Sequence, residues 1–331
     1  MMMRRVLFLL CLVLWLPNVA LAAYSSLFVF GDSLSDGGNA YALSGGVWPP
    51  SPPYDQRFTN GPTAAEVLAA ELGISGFAPS TAGGTNYAVG GATTGIGNYN
   101  FAVNSPAGLP AAIEFTGMQS QFAAFAASET LFDPTQSLFM VWGGPNDIFL
   151  GQAAGDDLSA VAATAITNIA GMVVGLAMLG ATDFLVPNLP NLALTPVGYG
   201  LGQIDPEAQA GLAMLSAAFN AGLAAALDGV RSAFGASLNI VEFDVAGFLG
   251  GVSSDPAGFG FQNVTDPCLA LASCEGYLFF DAVHPTAQAH ALLGRAFALA
   301  VPEPGTSALI VLALIALLLT RHRRATPQTV S

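Results

Sequence analysis

Short apolar runs alternate along the chain with longer stretches in which apolar residues recur every three or four positions. The short runs, rich in β-branched and aromatic side chains, predict strands buried on both faces of a parallel sheet. Five strands are predicted, at residues 27–30, 85–89, 137–142, 183–187 and 239–243. The longer stretches predict helices at residues 62–72, 118–128, 157–179 and 206–234, and a closing helix to about residue 300. This alternation predicts an α/β fold with helices on both faces of the sheet.

Three of the predicted strands run directly into turns that contain glycine. The turns are Gly31-Asp32-Ser33-Leu34, Gly90-Gly91-Ala92-Thr93 and Gly143-Gly144-Pro145-Asn146-Asp147. Open α/β sheets bind their ligands at the carboxyl ends of the strands, so we expect Ser33, Gly91 and Asn146 to share one rim. Ser33 taken alone is equally typical of a turn or of a helix cap.

Histidine is scarce in this chain, which contains three in all. Between the two terminal segments only His284 and His290 occur, so acid–base chemistry near neutral pH falls to one of them. Asp281 precedes His284 by three residues, and its carboxylate can fold back onto one ring nitrogen and aim the other at a nucleophile. His290 lies within the closing helix, where a structural role is expected.

Four segments occur in a fixed order along the chain: Gly31 to Leu34, Asn86 to Thr93, Gly144 to Asp147, and Asp281 to Thr286. Together they resemble the four motif blocks of the GDSL lipase/esterase (SGNH hydrolase) family, and the resemblance covers residues 27–299. Each block alone is weak, but four in order carry the resemblance. It implies a three-layer α/β/α fold with a mostly parallel, about five-stranded sheet of the flavodoxin-like SGNH type.

The resemblance also implies a reaction, the hydrolysis of carboxylic esters through an acyl-serine intermediate. Ser33 would be the nucleophile, His284 the general base and then the general acid, and Asp281 the third member of the triad. No cofactor and no metal are implied. The substrate would be a lipid or other acyl ester, or acetylated polysaccharide. The alternatives are an acyltransferase or a polysaccharide O-acetyl esterase of the same fold, and a non-catalytic matrix or surface binding protein.

The glycine-containing turns would then stabilise the oxyanion that forms during the reaction. The resemblance implies an oxyanion hole made of the backbone N–H groups of Ser33 and Gly91 and the side-chain amide of Asn146, with Gly90 as the alternative to Gly91. Four further polar residues are expected to brace turns and cap helices: Asp32, Asp36, Asn39 and Asp147.

Charge and composition narrow the class of partner. The chain has 331 residues, 53% of them hydrophobic, which is enough for one large domain, predicted at residues 24–300. The formal net charge is −14, and residues 24–301 hold three arginines against 21 aspartates and glutamates. Phosphate binding needs a basic face, so nucleic acid is excluded as a partner.

The N-terminus has the pattern of an export signal. Arg4 and Arg5 precede an apolar run at residues 6–16, and small residues follow at 20–23. This pattern predicts a secretory signal peptide at residues 1–22, removed by signal peptidase. The apolar run is too short for a membrane-spanning anchor.

The C-terminus has the pattern of a sorting signal. Val301-Pro302-Glu303-Pro304-Gly305 precedes an apolar run at residues 308–319 and an arginine cluster at 321–324. Residues 301–324 resemble a PEP-CTERM signal, followed by a polar tail at 325–331; an ordinary membrane anchor is the alternative. The resemblance implies an exosortase as processing partner and transient membrane association. It also implies a final location in the periplasm, on the outer surface or in the extracellular matrix of a Gram-negative bacterium.

Two loops complete the prediction. Residues 45–61, rich in glycine, proline and aromatic side chains, are predicted as an ordered loop over the end of the first strand that walls a cleft. Residues 246–273 are predicted as loop. Cys268 and Cys274 are the two cysteines outside the signal peptide, and in an oxidising compartment they are expected to form a disulfide.

Overall fold

The computed structural model of the protein describes residues 24–103, 108–128 and 130–302. The predicted signal peptide, and the predicted sorting segment after residue 302, lie outside these residues. The chain divides into two units, of which residues 25–301 form the larger. Of the smaller unit, made of both chain ends, the structure describes Tyr24 and Pro302.

The centre of the larger unit is a parallel sheet of four strands. In spatial order they are β1 Ser26–Gly31, β2 Ser137–Trp142, β3 Asp183–Pro187 and β4 Asn239–Phe243. These are four of the five predicted strands. A separate two-stranded parallel pair consists of β5 Asn263–Pro267 and β6 Tyr277–Phe279.

The fifth predicted strand, residues 85–89, is reduced to isolated bridges at Asn86, one to Val29 of β1 and one to Pro79. The Tyr87 N–H donates to the Val29 carbonyl at 2.8 Å. The Asn39 amide donates to the carbonyls of Asn86 and Ala88, at 2.7 and 2.9 Å, so isolated bridges and side-chain bonds replace a regular ladder. Counted as the second strand, this segment gives the spatial order 2-1-3-4-5 of flavodoxin-like sheets. The predicted fold class is confirmed.

The helices, in chain order, are α1 Asn39–Leu43, α2 Ala64–Glu71, α3 Tyr99–Ala102, α4 Met118–Ala127, α5 Pro145–Ala154, α6 Leu158–Met178, α7 Pro196–Gly202, α8 Pro206–Phe234, α9 Val245–Ser254 and α10 Ala287–Ala300. Short 3-10 turns lie at Ser80–Ala82, Ala111–Ile113, Leu192–Leu194, Gly235–Ser237 and Ala257–Phe259. The five predicted helices are present, and caps explain their starts. Thr63 forms a capping box with Glu66 at α2, and Asp157 and Asp205 cap α6 and α8.

Five helices were not predicted: α1, α3, α5, α7 and α9. α5 begins with Pro145 in its first turn, directly after β2, where a turn was expected. α9 replaces part of the predicted loop at 246–273. Its glycines lower its intrinsic helix propensity, but Val245, Leu249 and Val252 recur at helical spacing and are buried, so packing outweighs propensity.

The sheet is covered on both faces, which makes three layers. One face packs Phe28, Phe139 and Phe184 into a core shared with α4, α6 and α8. The opposite face turns Trp142 toward Phe297 of α10, with ring centroids 5.7 Å apart. Within the described residues, two helical segments, Leu158–Met178 and Pro206–Ser237, are long and apolar enough to cross a membrane by length and composition. Here their buried side chains pack in the core of the sheet.

Candidate active site

The predicted site residues meet at the carboxyl edge of the sheet. Ser33 follows β1, Asn146 follows β2, and Gly91 follows the bridged segment beside β1. Asp281 and His284 come from the turn after β6. All five line one cavity of about 570 Å³. It lies between β1 and β2, where the strand order reverses, which is the position that open α/β sheets use for ligands.

A chain of two short hydrogen bonds joins three of these residues. His284 Nε2 lies 2.7 Å from Ser33 Oγ, and His284 Nδ1 lies 2.7 Å from Asp281 Oδ2. In the neutral tautomer with the proton on Nδ1, the imidazole donates to the carboxylate and accepts from the hydroxyl. The serine hydroxyl is therefore placed to lose its proton to a histidine that a carboxylate orients.

Asp281 accepts hydrogen bonds from the backbone of its own turn and from a tyrosine that is distant in the sequence. Its Oδ1 accepts the N–H groups of Val283 and His284, at 2.9 and 2.8 Å. Its Oδ2 also accepts the hydroxyl of Tyr54 at 2.7 Å. Burial acts to raise the pKa of Asp281, but the charge of His284, the hydrogen bond to its imidazole and the bonds from the Val283 and His284 N–H groups lower it to about 2. The carboxylate is therefore ionised at neutral pH.

The same environment acts on His284. Burial acts to lower the pKa of its imidazole, but the charge of Asp281 and the hydrogen bond to it raise the pKa above its usual value. The ring of Phe58 packs against the imidazole, with centroids 5.4 Å apart. Tyr54 and Phe58 both belong to the 45–61 segment predicted to wall the cleft. Sequence reasoning did not identify Tyr54 as a partner of Asp281, because 227 positions separate the two.

The backbone around Gly91 suits an oxyanion donor. Gly91 has φ +81°, and a Cβ there would collide with the side chains of Asn98 and Asn100. Among the described residues its N–H has no hydrogen-bond partner, whereas the Gly90 N–H donates to Asp36 Oδ2 at 2.8 Å. The geometry therefore favours Gly91 over Gly90.

The other two expected donors also face the cavity. The Asn146 amide donates to the Ala92 carbonyl at 3.0 Å, which fixes the side chain and leaves its second amide hydrogen for a ligand. The N–H of Ser33 has no acceptor within the part of the chain that the structure describes. Ser33 and Asn146 are only 8% and 7% exposed, so solvent reaches little of either residue.

Three of the bracing residues accept or donate hydrogen bonds that hold their own turn or a neighbouring segment. Asp36 accepts the N–H groups of Gly38, Asn39 and Ala40 as well as that of Gly90. Burial raises the pKa of Asp36 to about 6 in spite of these bonds. Asn39 bonds the segment beside β1, as described above. Asp147 accepts the N–H and the hydroxyl of Thr94, at 2.9 and 2.7 Å.

Asp32 differs from these residues. Its Oδ1 accepts the Leu34 N–H at 3.0 Å, but within the described ranges its buried Oδ2 has no hydrogen-bond partner. Burial raises the pKa of Asp32 to about 7, against the opposing effects of the Leu34 bond and the charge of His284. An under-bonded carboxyl group therefore lies directly beside the nucleophile.

His290 lies outside the hydrogen-bonded chain. It is buried, and its Nδ1 accepts the N–H of Ala64 at the first residue of α2, at 3.2 Å. Burial lowers its pKa to about 3, so the ring is neutral and caps a helix.

Cys268 and Cys274 are joined by a disulfide. The Cys268 N–H donates to the Phe279 carbonyl at 3.1 Å, and the Leu269 N–H to the Phe280 carbonyl at 2.8 Å. These bonds attach the disulfide loop to the residues immediately before Asp281.

A serine–histidine–aspartate chain at the carboxyl edge of a parallel α/β sheet is the arrangement found in serine hydrolases of this architecture. Residues 27–297 match the family model of the GDSL-like lipase/acylhydrolases, and the chain belongs to that family.

Two curated relatives and one solved structure are similar to this chain. The chain is 30% identical over 176 residues to Lipase 1 of Photorhabdus luminescens, covering 53% of this chain and 23% of the relative. It is 32% identical over 176 residues to the phosphatidylcholine-sterol acyltransferase of Aeromonas hydrophila, covering 53% and 47%. The match thus spans less than half the length of either curated relative. A lipolytic G-D-S-L family protein from Veillonella parvula is similar over 83% of this chain and 96% of its own, with 16% identity and a TM-score of 0.42.

Proposed function

We propose that this protein hydrolyses carboxylic esters through an acyl-serine intermediate on Ser33. The observation that carries the proposal is the continuous hydrogen-bonded chain from Asp281 through His284 to Ser33. Membership of a lipase and acylhydrolase family supports it.

Each residue of the triad has a separate role in the reaction. Ser33 Oγ attacks the ester carbonyl carbon while His284 Nε2 takes its proton, and Asp281 stabilises the imidazolium that forms. The tetrahedral intermediate collapses as His284 returns the proton to the leaving alcohol, which leaves the acyl group on Ser33. Water then attacks the acyl-enzyme with His284 again as general base, and the carboxylic acid departs.

The developing oxyanion requires donors that are already in place. We assign this role to the N–H groups of Ser33 and Gly91 and to the amide of Asn146. Removal of one such donor typically raises the barrier by about 3 kcal/mol. The closed turn around Gly91 and the bond from Asn146 to Ala92 keep the last two donors fixed before substrate arrives.

The cavity walls favour an uncharged acyl ester as substrate. Beyond the triad they are mainly apolar, and no arginine is among the described residues that line them. A lipid or other acyl ester fits this surface better than an acetylated polysaccharide, whose hydroxyl groups need polar partners. Acyl transfer to an alcohol differs only in the acceptor that meets the acyl-enzyme, and the similarity to an acyltransferase favours it as the second candidate.

Two serines of the same motif give a matched test. Ser33→Ala is expected to lower kcat for p-nitrophenyl butyrate by about 10⁴-fold or more, because the nucleophile is lost. Ser35→Ala is the control, since the buried Ser35 Oγ has no hydrogen-bond partner in the described part of the chain. A Ser33→Ala variant with the wild-type rate would sink the proposal and favour a binding protein. Products measured with and without glycerol separate hydrolysis from acyl transfer.

We further propose that the protein is exported, with residues 1–22 removed by signal peptidase and the chain cut by an exosortase near residues 302–305, which removes the apolar run and the tail that follows it. The mature protein would then reside in the periplasm, on the outer surface or in the extracellular matrix, after transient membrane association. Support comes from the residue patterns at both ends. Intact-mass analysis of protein from an exosortase-bearing host tests both cleavages, and peptides from residues 308–319 in the extracellular form would contradict the second.

A further inference from the structure

The apolar residues that line the active-site cavity beyond the triad fall into two groups, called its two branches below. One follows α5 to α7 and the start of α8, where its walls include Phe149, Leu201 and Leu212. The other lies among α9, β6 and α10, where Val245, Leu278 and Leu293 line it. These three side chains are at most 1% exposed. In contrast, Gln152 and Ala153, which line the first branch, are exposed.

The first branch starts at the oxyanion hole. Asn146, Phe149 and Ala153 all line the cavity, and their spacing of three and four residues puts them on one face of α5. A ligand whose carbonyl oxygen meets Asn146 therefore has a continuous path along this face. Leu201 of α7 and Leu212 of α8 line the same cavity.

A second cavity, of about 510 Å³, continues this path. It lies between the end of α5 and the first half of α8, and it shares Gln152, Leu201 and Leu212 with the active-site cavity. These three side chains therefore form the partition between the two spaces. Beyond the partition the walls are apolar and include Leu215 and Met214, the latter 67% exposed.

The chemistry decides which half of the ester follows α5. His284 must protonate the leaving alcohol, so the alcohol lies on the side of His284, near Tyr54 and Phe58. The acyl carbon stays attached to the carbonyl whose oxygen contacts Asn146. The acyl chain therefore extends from the oxyanion hole along α5.

We propose that the α5 branch is the acyl-chain subsite, that the substrates are esters of medium- and long-chain fatty acids, and that the longer chains pass the Leu201–Leu212 partition into the second cavity. The inference rests on the proposed ester hydrolysis. Both cavities lie within the range of about 300 to 1,000 Å³ typical of ligand pockets, far larger than an acetyl group needs. Each methylene buried there is expected to raise kcat/KM by up to about fourfold.

The test uses p-nitrophenyl esters with acyl chains of increasing length, below their aggregation limits, so that the alcohol half is constant. For the wild type, kcat/KM is expected to rise from acetate to decanoate by about a hundredfold or more. Leu212→Trp blocks the partition and is expected to lower the decanoate-to-acetate ratio by about tenfold. Leu201→Phe, a smaller change at the same partition, covers the case in which the tryptophan variant does not fold.

Two further variants test which branch of the cavity binds the acyl chain. Ser253→Phe narrows the α9 branch and is expected to leave the ratio unchanged, because Ser253 lies on α9 and does not line the second cavity. Met178→Trp is the matched surface control, since Met178 is 78% exposed and lines neither cavity. A ratio that falls with Ser253→Phe and not with either partition variant would overturn the location. Acetate hydrolysis with no gain from longer chains would overturn the substrate class alone, whereas no hydrolysis of any ester would overturn the proposed function itself.

Discussion

At the scale of single residues, the site depends on how Asp281 is bonded. Two backbone N–H groups, the imidazole of His284 and the hydroxyl of Tyr54 all bond its two oxygens. Tyr54 and His284 both bond Oδ2 of Asp281. The bond from Tyr54 therefore weakens the interaction between this carboxylate and the imidazolium, which is the interaction that raises the pKa of His284. The aromatic contact of Tyr54 with Phe280, at a centroid distance of 5.0 Å, holds the hydroxyl in place.

Tyr54→Phe removes this hydrogen bond and keeps the ring. The carboxylate then interacts more strongly with imidazolium, so the pKa of His284 is expected to rise and the acid limb of kcat/KM to move to higher pH. We expect a shift of about half a pH unit, with a loss of about threefold at low pH and little change at high pH. The pH profile measures this, with Tyr277→Phe as control. A profile that falls uniformly at every pH would show that Tyr54 acts on folding alone.

Asp32 leads to a prediction about stability. Burial raises its pKa from the ordinary 3.8 to about 7, so folding is favoured when the group is protonated, and that contribution is lost as pH rises from about 4 to about 7. Asn cannot ionise. Asp32→Asn is therefore expected to be more stable than the wild type above pH 7, by a few kcal/mol at about 1.4 kcal/mol per pKa unit, and to lose this advantage near pH 4. Urea unfolding across this range measures it, and parallel pH dependences for the two proteins would contradict it.

At the scale of elements, the sequence predicted the buried strands better than the contacts between segments that are distant along the chain. β1 and β2 are buried on both faces and are strongly apolar, so their position and the residues after them could be predicted. Residues 85–89 carry a polar Asn86 whose backbone bonds Ala78 and Ser80 as well as the Asn39 side chain, and no local pattern shows these contacts. The bond from Tyr54 to Asp281 and the partition of the cavity depend on distant segments that only the folded chain brings together.

The disulfide gives a prediction about one such connection. Its loop bonds the backbone of Phe279 and Phe280, directly before Asp281. Reduction is therefore expected to loosen the Asp281–His284 turn before it unfolds the sheet, so that esterase activity falls while the far-UV circular dichroism persists. Titration with a thiol reductant at fixed temperature measures both signals. The Cys268→Ser, Cys274→Ser double variant should show the reduced activity and no further response to reductant, and simultaneous loss of both signals would contradict the prediction.

At the scale of the whole molecule, acidic charge is largely unbalanced. Between residues 24 and 301 there are three arginines and 21 acidic residues. Each arginine already pairs with a carboxylate: Arg57 with Glu66, Arg231 with Glu242, and Arg295 with Glu71. The other carboxylates repel one another across the surface, and this repulsion disfavours the compact state.

Salt is therefore expected to stabilise the folded protein. Raising NaCl from about 0.01 to about 0.5 M shortens the screening length from about 30 Å to about 4 Å and should raise Tm by a few degrees. Thermal unfolding followed by circular dichroism at constant pH measures this. A Tm that falls with added NaCl would show that screening the arginine–carboxylate attractions costs more stability than screening the carboxylate repulsion restores.

The central claim, that Ser33 is a nucleophile activated by His284, is tested most directly by covalent labelling. A fluorophosphonate probe followed by peptide mass spectrometry is expected to give one adduct, on the peptide that contains Ser33, with site-resolved fragmentation excluding Ser35. His284→Ala should slow this labelling by several orders of magnitude, because the hydroxyl loses its base. An adduct confined to another serine, or folded wild-type protein that resists the probe under conditions that label a known serine esterase, would contradict the account.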